Sequence, residues 1–528
     1  MQIECSFPPV VTRVFRVRAL RPLILPRPQS HSLIAPLAYL ILPNLPLLLM
    51  QHLLSLVPHG YINVECLLIG LISFFLPRVI IFLLLAIEIT GAIAYAICYS
   101  FQFTFGELLA SAHFTGALPL DRKVEIAVAI LLVTSVAAIV AFAVPRPRSR
   151  WSAVACILAL IIFVNVIDAV DGQNPYSPKD VILVSRRVTL CPWLTLAVRG
   201  HFFSSVDVRS LSSQDNGMES ASAHVVKRLT AMPASARPNI VLVVVESWGL
   251  LKDAVLAKPL TAPYEDSQLT AAYQVSYGSV PFDGLTVPGE VRELCHSHLG
   301  FGVFRASLSE ADACLPEIFR ARGYETHAVH GYMGAMFQRD QWYKRIGFAA
   351  ASFEPDLHRD GLPSCPGAFP GICDTSIPPW IGDRLLADPD GAPQFVYWVT
   401  LNSHIPVPAR PHLPADSTCT SQPDLSGSDA LCSWFRLVLV VHQSIRDLAL
   451  RPTTRPTVFV LVGDHAPPFA NPQLRDKFSD TVVPFIVLTP RRLLQPGKDL
   501  QVGNASPVHK LSADARRPVA EQPHGRGE

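Results

Sequence analysis

The chain has 528 residues, half of them hydrophobic and only 16% charged, which is too apolar for an ordinary soluble protein of this length and leaves room for two or more domains. Its formal net charge of +2 gives no electrostatic case for nucleic acid or for an acidic partner, and no basic patch with interleaved aromatics stands out. Nucleic-acid binding is therefore set aside.

The apolar excess falls in residues 32–171. Ahead of it, residues 1–31 carry Arg13, Arg16, Arg18, Arg21 and Arg27 against Glu4 alone. This stretch lacks the compact apolar core and small-residue cleavage site of a secretory signal, so it reads as a poorly ordered cytoplasmic arm or as an over-extended start. Apolar segments at 33–57, 61–77, 79–99, 124–144 and 152–171 have lengths in the range of a bilayer core, which predicts a membrane domain of about five helices. Pro36, Pro43 and Pro46 are expected as kinks in the first. Arg78 lies between the second and third segments, and Arg146, Arg148 and Arg150 lie between the fourth and fifth. The positive-inside rule puts these arginines and the arm in the cytoplasm, and an odd number of spans then delivers everything after residue 171 to the outside. Residues 172–238 read as a linker, Ser-rich near 204–222, and residues 491–528 as a polar, disordered tail.

Four of the eleven cysteines lie in the arm or the membrane part. Six of the other seven form neighbouring couples, Cys295 with Cys314, Cys365 with Cys373 and Cys419 with Cys432, and Cys191 is left over. None has the CxxC spacing of a zinc site. Three local disulfides in an oxidising compartment agree with the charge argument, although spacing alone does not fix connectivity.

The outer domain, 239–490, is organised around Asn239-Ile-Val-Leu-Val-Val-Val-Glu246. So short and β-branched a run predicts a strand buried on both faces, as in a parallel sheet, with Glu246 at its carboxyl end where open α/β sheets place ligands. Further strands are predicted at 324–329, leading to His330, at 395–400, leading to Asn402-Ser-His404, at 458–463, ending in Asp464-His465, and at 482–488. Thr286, between Gly284 and Gly289 ahead of a helical stretch, stands where a hydroxyl nucleophile would face helix amides. Each residue alone has an ordinary structural reading: a helix-capping Glu246, a turn threonine, a surface Arg339 paired with Asp340. Apolar strands ending in Glu, His and Asp-His form the stronger signal, because structural carboxylates need not gather at one sheet edge.

With these residues in place, the outer domain resembles the alkaline phosphatase and sulfatase superfamily, and most closely the membrane-bound lipoteichoic acid synthase-like phosphoglycerol transferases, with phosphoethanolamine transferases further away. The resemblance implies an extracytoplasmic α/β sandwich with a mostly parallel sheet behind a multi-span anchor in a bacterial inner membrane. It implies one divalent cation, Mn²⁺ or Mg²⁺ on an oxygen-rich set with Zn²⁺ left open, held by Glu246, Thr286, Asp464 and His465. Thr286 is then also the nucleophile, with His404 as its acid–base partner, and His330, Arg339 and His404 hold the phosphate-bearing head group. The implied reaction moves that group, phosphoglycerol or phosphoethanolamine, from a membrane phospholipid to an envelope glycan or glycolipid through a phosphothreonine. An external phosphodiesterase or phosphatase and a catalytically silent scaffold are the alternatives. Tyr332-Met333 after His330-Gly331, and Phe337 in place of a tryptophan before Arg339, depart from the lipoteichoic acid synthase pattern. The Glu246-Ser-Trp-Gly stretch departs from the phosphoethanolamine transferase one. No cysteine stands in the Cys-x-Pro-x-Arg context that a formylglycine sulfatase needs.

Overall fold

The computed structural model describes residues 34–53, 62–63, 65–101, 120–144 and 219–494, the last with short gaps, together with scattered positions between 105 and 189. The basic arm, most of the linker, the greater part of the fifth apolar segment, Cys191 and residues 495–528 lie outside them.

Valine and isoleucine dominate the run from Asn239 to Val245, and it forms the strand predicted there, β1, buried along its whole length. Six more strands join it: β2 (Tyr273–Pro281), β3 (Glu325–His330), β4 (Ala350–Ser352), β5 (Gln394–Val399), β6 (Thr457–Gly463) and β7 (Val482–Pro490). Their order across the sheet is β2-β7-β6-β1-β5-β3-β4. The pairs from β6 to β4 are parallel, while β7 runs antiparallel to both β6 and β2, so the sheet is mixed with a parallel centre. The strands β2 and β4 extend the five read from sequence.

Side chains alternate across a strand, and β1 divides its residues between two cores. Val241, Val243 and Val245 pack with Trp398, Leu461, Trp434 and Val441 on one face. Ile240, Leu242 and Val244 pack with Val291, Phe319, Trp342 and Tyr397 on the other. Helices cover both faces of the α/β sandwich. The long helix Asp429–Leu450 starts at a Ser428 cap, whose hydroxyl accepts from the Leu431 amide, and lies on the first face. Thr286–Cys295 and Arg339–Arg345 lie on the second. Three disulfides join the neighbouring couples, Cys295–Cys314, Cys365–Cys373 and Cys419–Cys432.

In the apolar part, two helices among the described residues are long and apolar enough to cross a membrane, Arg78–Cys98 and Lys123–Ala143. We label α1 (Arg78–Phe101), α2 (Leu120–Ala138), α3 (Thr286–Cys295), α4 (Arg339–Arg345) and α5 (Asp429–Leu450). The other apolar segments form shorter pieces. Pro43 and Pro46 divide the first into Ile34–Ile41, a 3-10 turn at Leu42–Asn44, and Leu45–Leu53, because proline removes a helix donor and fixes its own φ. The second is the eight-residue helix Glu65–Ile72. Arg78, at the start of α1, donates to the Phe142 carbonyl beyond the end of α2, so these ends of the two helices lie together. Leu118, in the connection just ahead of α2, packs against Tyr332, Met336 and Leu401 of the α/β domain.

Candidate functional site

The carboxyl ends of β1 and β6 lie side by side in register, Val245 opposite Gly463, so Glu246 and Asp464-His465 emerge next to each other. Glu246, Asp464 and His465 are all buried, and one donor atom from each lies within 4.8 Å of the others. His465 Nε2 is 3.5 Å from Glu246 Oε1 and 3.4 Å from Asp464 Oδ2. Its Nδ1 faces the Ala466 carbonyl at 2.9 Å, and donation there turns Nε2 toward the carboxylates. Asp464 Oδ1 accepts from the amides of Ser247 and His465, both at 2.7 Å, whereas its Oδ2 is buried with no hydrogen-bond partner. An orphaned carboxylate oxygen beside a second carboxylate and an imidazole fits a divalent cation held by Glu246, Asp464 and His465.

The electrostatics agree with that fit. Burial and the neighbouring Glu246 charge push the Asp464 carboxyl up to about 7. Burial would also raise Glu246, but His404, His465 and the Ser247 hydroxyl hold it well below the usual carboxylate range. Burial opposes a charged His465, yet Asp464 and Glu246 raise it to about 9. Two buried carboxylates thus draw positive charge to this point.

Thr286 is the first residue of α3, and its hydroxyl donates to Glu246 Oε2 at 3.0 Å. Gly289 allows this approach, since a Cβ there would meet Asp464 Cα and Cβ at 2.9 Å. Ser279, a second hydroxyl beside a glycine seven residues earlier and thus a rival nucleophile to Thr286 by sequence, sits in β2 opposite Pro484. Immediately after Glu246, Ser247 has φ 56, a left-handed conformation that costs a non-glycine residue energy. The Ser247 carbonyl accepts from the Trp434 indole of α5 at 2.9 Å and its hydroxyl donates to Glu246 Oε1 at 2.8 Å, which hold the turn.

Arg339 and His330 come together, and the residue joining them was not singled out in the sequence. Glu290, one turn after Thr286 in α3, is fully buried. Its Oε1 accepts from Arg339 Nε at 3.0 Å and Nη2 at 2.6 Å, and its Oε2 from the hydroxyls of Tyr343 and, at 3.0 Å, Tyr397. The third guanidinium nitrogen, Nη1, lies 3.3 Å from His330 Nε2, whose Nδ1 faces the Val399 carbonyl at 3.1 Å. Donation to Val399 leaves Nε2 to accept from Arg339, and burial with the Arg339 charge lowers His330 to about 3. Arg339 is therefore paired with Glu290 rather than Asp340. Two consecutive left-handed residues, Phe337 at φ 55 and Gln338 at φ 51, precede it. A signal for Glu290 was present: an acid at i+4 from Thr286 shares its helix face.

His404 sits in the turn after β5. Burial lowers its pKa, with Glu246 opposing, and its ring meets Phe369 edge-on at 4.7 Å. That turn hangs from Asp374, another residue not foreseen. The Asp374 carboxylate accepts from the amides of Leu401, at 3.0 Å, and Asn402, at 2.7 Å. Asp374 follows Cys373 directly, so the Cys365–Cys373 disulfide lies next to the support of His404.

Comparison with known proteins adds a family. Residues 237–510 match the family model described as Sulfatase. A Rhizobium meliloti (strain 1021) protein named for cyclic beta-1,2-glucan modification is 29% identical over 160 residues, which are 29% of this chain and 23% of that protein. Among solved structures, the lipooligosaccharide phosphoethanolamine transferase A of Neisseria meningitidis is 14% identical at a TM-score of 0.45, over 92% of this chain and 91% of that one. The Streptococcus pyogenes phosphoglycerol transferase GacH, solved with sn-glycerol-1-phosphate, is 17% identical at a TM-score of 0.35, over 51% and 73%.

Proposed function

The chain belongs to the sulfatase family, and on that premise we propose that it is a membrane-anchored phosphotransferase. It moves a phospho-head group, phosphoglycerol or phosphoethanolamine, from a membrane phospholipid to an envelope glycan or glycolipid through phosphorylated Thr286. The observation that carries this reading is the Thr286 hydroxyl donating to Glu246 beside Asp464 and His465. No cysteine stands in the Cys-x-Pro-x-Arg context that a formylglycine sulfatase needs, which favours phosphoryl transfer over sulfate-ester hydrolysis within the family.

Glu246, Asp464 and His465, with the Thr286 oxygen, would hold one divalent cation, Mn²⁺ or Mg²⁺ on this oxygen-rich set. When bound, that cation favours the ionised hydroxyl and offsets phosphoryl charge. Thr286 attacks phosphorus as its proton leaves through the hydrogen bond to Glu246. The proton passes by way of His404 to the diacylglycerol oxygen, so that the new P–O bond forms as the bond to that oxygen breaks and diacylglycerol departs as the alcohol. The first turn of α3 directs amide dipoles at the developing negative charge. His404, whose burial favours the neutral imidazole, suits proton transfer to or from the leaving or entering hydroxyl. Arg339, with its charge fixed by Glu290, and His330 flank the head group. A glycan hydroxyl then attacks the phosphothreonine and restores Thr286.

Two features support a membrane setting with the catalytic domain outside the cytoplasm. Arg78 at the start of α1 reaches the Phe142 carbonyl beyond the end of α2, while Leu118 in the connection at the other end reaches the α/β domain. Three disulfides fit an oxidising compartment. The test is to incubate the full chain with labelled phosphatidylglycerol or phosphatidylethanolamine and follow the Thr286 peptide by mass spectrometry. Donor-dependent phosphorylation of that peptide supports the transfer, and its label identifies the head group. Donor consumption with only water as acceptor would assign a hydrolase instead, and an inert Thr286 would sink the mechanism.

A further inference from the structure

The amino ends of the central strands carry a second charged cluster, remote from the residues discussed above. Arg237 precedes β1 by two residues, Arg455 precedes β6 by two, and Arg322 precedes β3 by three. Their side chains clamp one another's backbone and that of the neighbouring loops. Arg237 Nη1 donates to the Arg322 carbonyl at 2.5 Å, and Arg455 donates through Nη1 to the Arg237 carbonyl at 3.1 Å and through Nη2 to Gly391 at 2.8 Å. Arg322 Nη1 donates to the Ile318 carbonyl at 3.2 Å. All three sit near each other, and among the described residues none forms an ion pair.

Those bonds alone would make an ordinary loop clamp, but the cluster also holds polar groups left unmet. Tyr324 is 4% exposed, and its hydroxyl is buried with no hydrogen-bond partner. Arg237 Nε is likewise buried and unpartnered. Burial pushes the Tyr324 phenol up to about 12 against the opposing pull of Arg237, Arg455 and Arg322, so it stays a neutral donor facing three guanidiniums. Two orphaned donors and three cations that form no ion pair among the described residues lie in one place, where a multivalent anionic acceptor would satisfy them together.

We propose that this cluster is a phosphate-binding site, in which the phosphate oxygens accept from Tyr324 Oη and Arg237 Nε and its charge pairs with Arg237, Arg322 and Arg455. The length of β1 separates it from Glu246 by roughly 20 Å at about 3.3 Å per residue. It is therefore distinct from the carboxyl-end site and independent of the transferase reading. The phosphate belongs either to free inorganic phosphate or to a lipid head group.

The experiment measures thermal unfolding of the full chain in detergent, on a Glu246→Gln background shared by every variant, so that any phosphate response at the carboxyl end cancels. Inorganic phosphate at a hundredfold excess over Kd should raise Tm by about 5 °C. Tyr324→Phe should leave the phosphate-free Tm unchanged or higher, since it deletes an unsatisfied hydroxyl, and should weaken phosphate about tenfold. Arg322→Gln should weaken it at least as much. A lipid source shows instead as a Tyr324→Phe deficit in Tm that exists in phosphatidylglycerol nanodiscs, is absent in detergent, and does not respond to added phosphate. Equal responses of parent and Tyr324→Phe to both probes would overturn the site. So would a phosphate-free, lipid-free loss of Tm in Tyr324→Phe, which would make the hydroxyl purely structural.

Discussion

The two ends of one sheet have opposite electrostatic character. At the carboxyl ends, Glu246 and Asp464 crowd His465 and raise it to about 9. At the amino ends, Arg237, Arg322 and Arg455 surround a neutral Tyr324. Parallel strands make this separation natural, because every strand in the central group starts on one side and finishes on the other. Charge at each end comes from residues just outside the apolar runs, so a site can be built at either end without interrupting the core between them.

The comparison can be broken most severely at the carboxyl end. Thr286→Ala should lower transfer on the order of 10⁴-fold or more, while Glu246, Asp464 and His465 still retain the cation. Thr286→Ser should keep measurable turnover. Lipid-donor consumption and bound metal, measured at matched fold, check both, and full activity in Thr286→Ala would rule out the nucleophile.

Glu290→Gln comes next. It removes the charge opposing a buried Arg339 while keeping the shape, and should cost about 3 kcal/mol in denaturant unfolding. KM for the lipid donor should rise more than kcat falls, with partial recovery in Glu290→Asp. A loss of stability with unchanged KM would confine Glu290 to folding.

Acid sharpens the comparison by adding charge within the layer between the ends. His442 is lowered to about 3 by burial, and His327 to about 3 by burial and the Arg384 charge. Unfolding lets both bind protons near their ordinary value of about 6.5. Their contribution to stability is therefore complete above that pH and is lost as pH falls from about 6.5 toward about 3. Each accounts for a slope of up to about 1.4 kcal/mol per pH unit. Unfolding of His442→Gln followed across this window should show a shallower acid dependence by one proton; an unchanged slope would contradict it. At the small end, Tyr324→Phe should leave donor turnover within about twofold, since the amino end lies the length of a strand away.

Much of the carboxyl-end site was legible because each member follows an apolar run: Val245 precedes Glu246, and Gly463 closes the run before Asp464. Continuous apolar runs marked four of the five strands for the same reason. The edge strand β2 escaped because it alternates Tyr273, Val275 and Tyr277 with polar or small residues rather than forming a continuous apolar run, and its partner β7 lies over 200 residues away in sequence. Glu290 escaped because Gly-Glu-Val-Arg-Glu reads as a solvated helix face, whereas all ten residues of α3 are buried. Asp374 was hidden in a loop whose function depends on amides at 401 and 402, a contact no local pattern encodes. In the apolar part, hydropathy measured segment length without measuring the effect of Pro43 and Pro46 on helix continuity.

Deeper in α3, the side chains of Arg292 and Glu293 have a practical consequence. Arg292 donates to the carbonyls of Gly463, at 2.7 Å, and Pro281, at 3.0 Å, and through Nε to Glu293 at 2.7 Å. Glu293 in turn accepts from the amides of Ala221 and Ser222. A soluble fragment cut at residue 237, where the family match begins, would discard Ala221 and Ser222 and leave Glu293 short of two donors. Its damage would be felt at Gly463, the residue before Asp464, in a part of the molecule that the cut never touched. Fragments made for assay or crystallisation should therefore begin before residue 219, and a shorter one that takes up a divalent cation weakly reports on the cut end rather than on the carboxyl-end site.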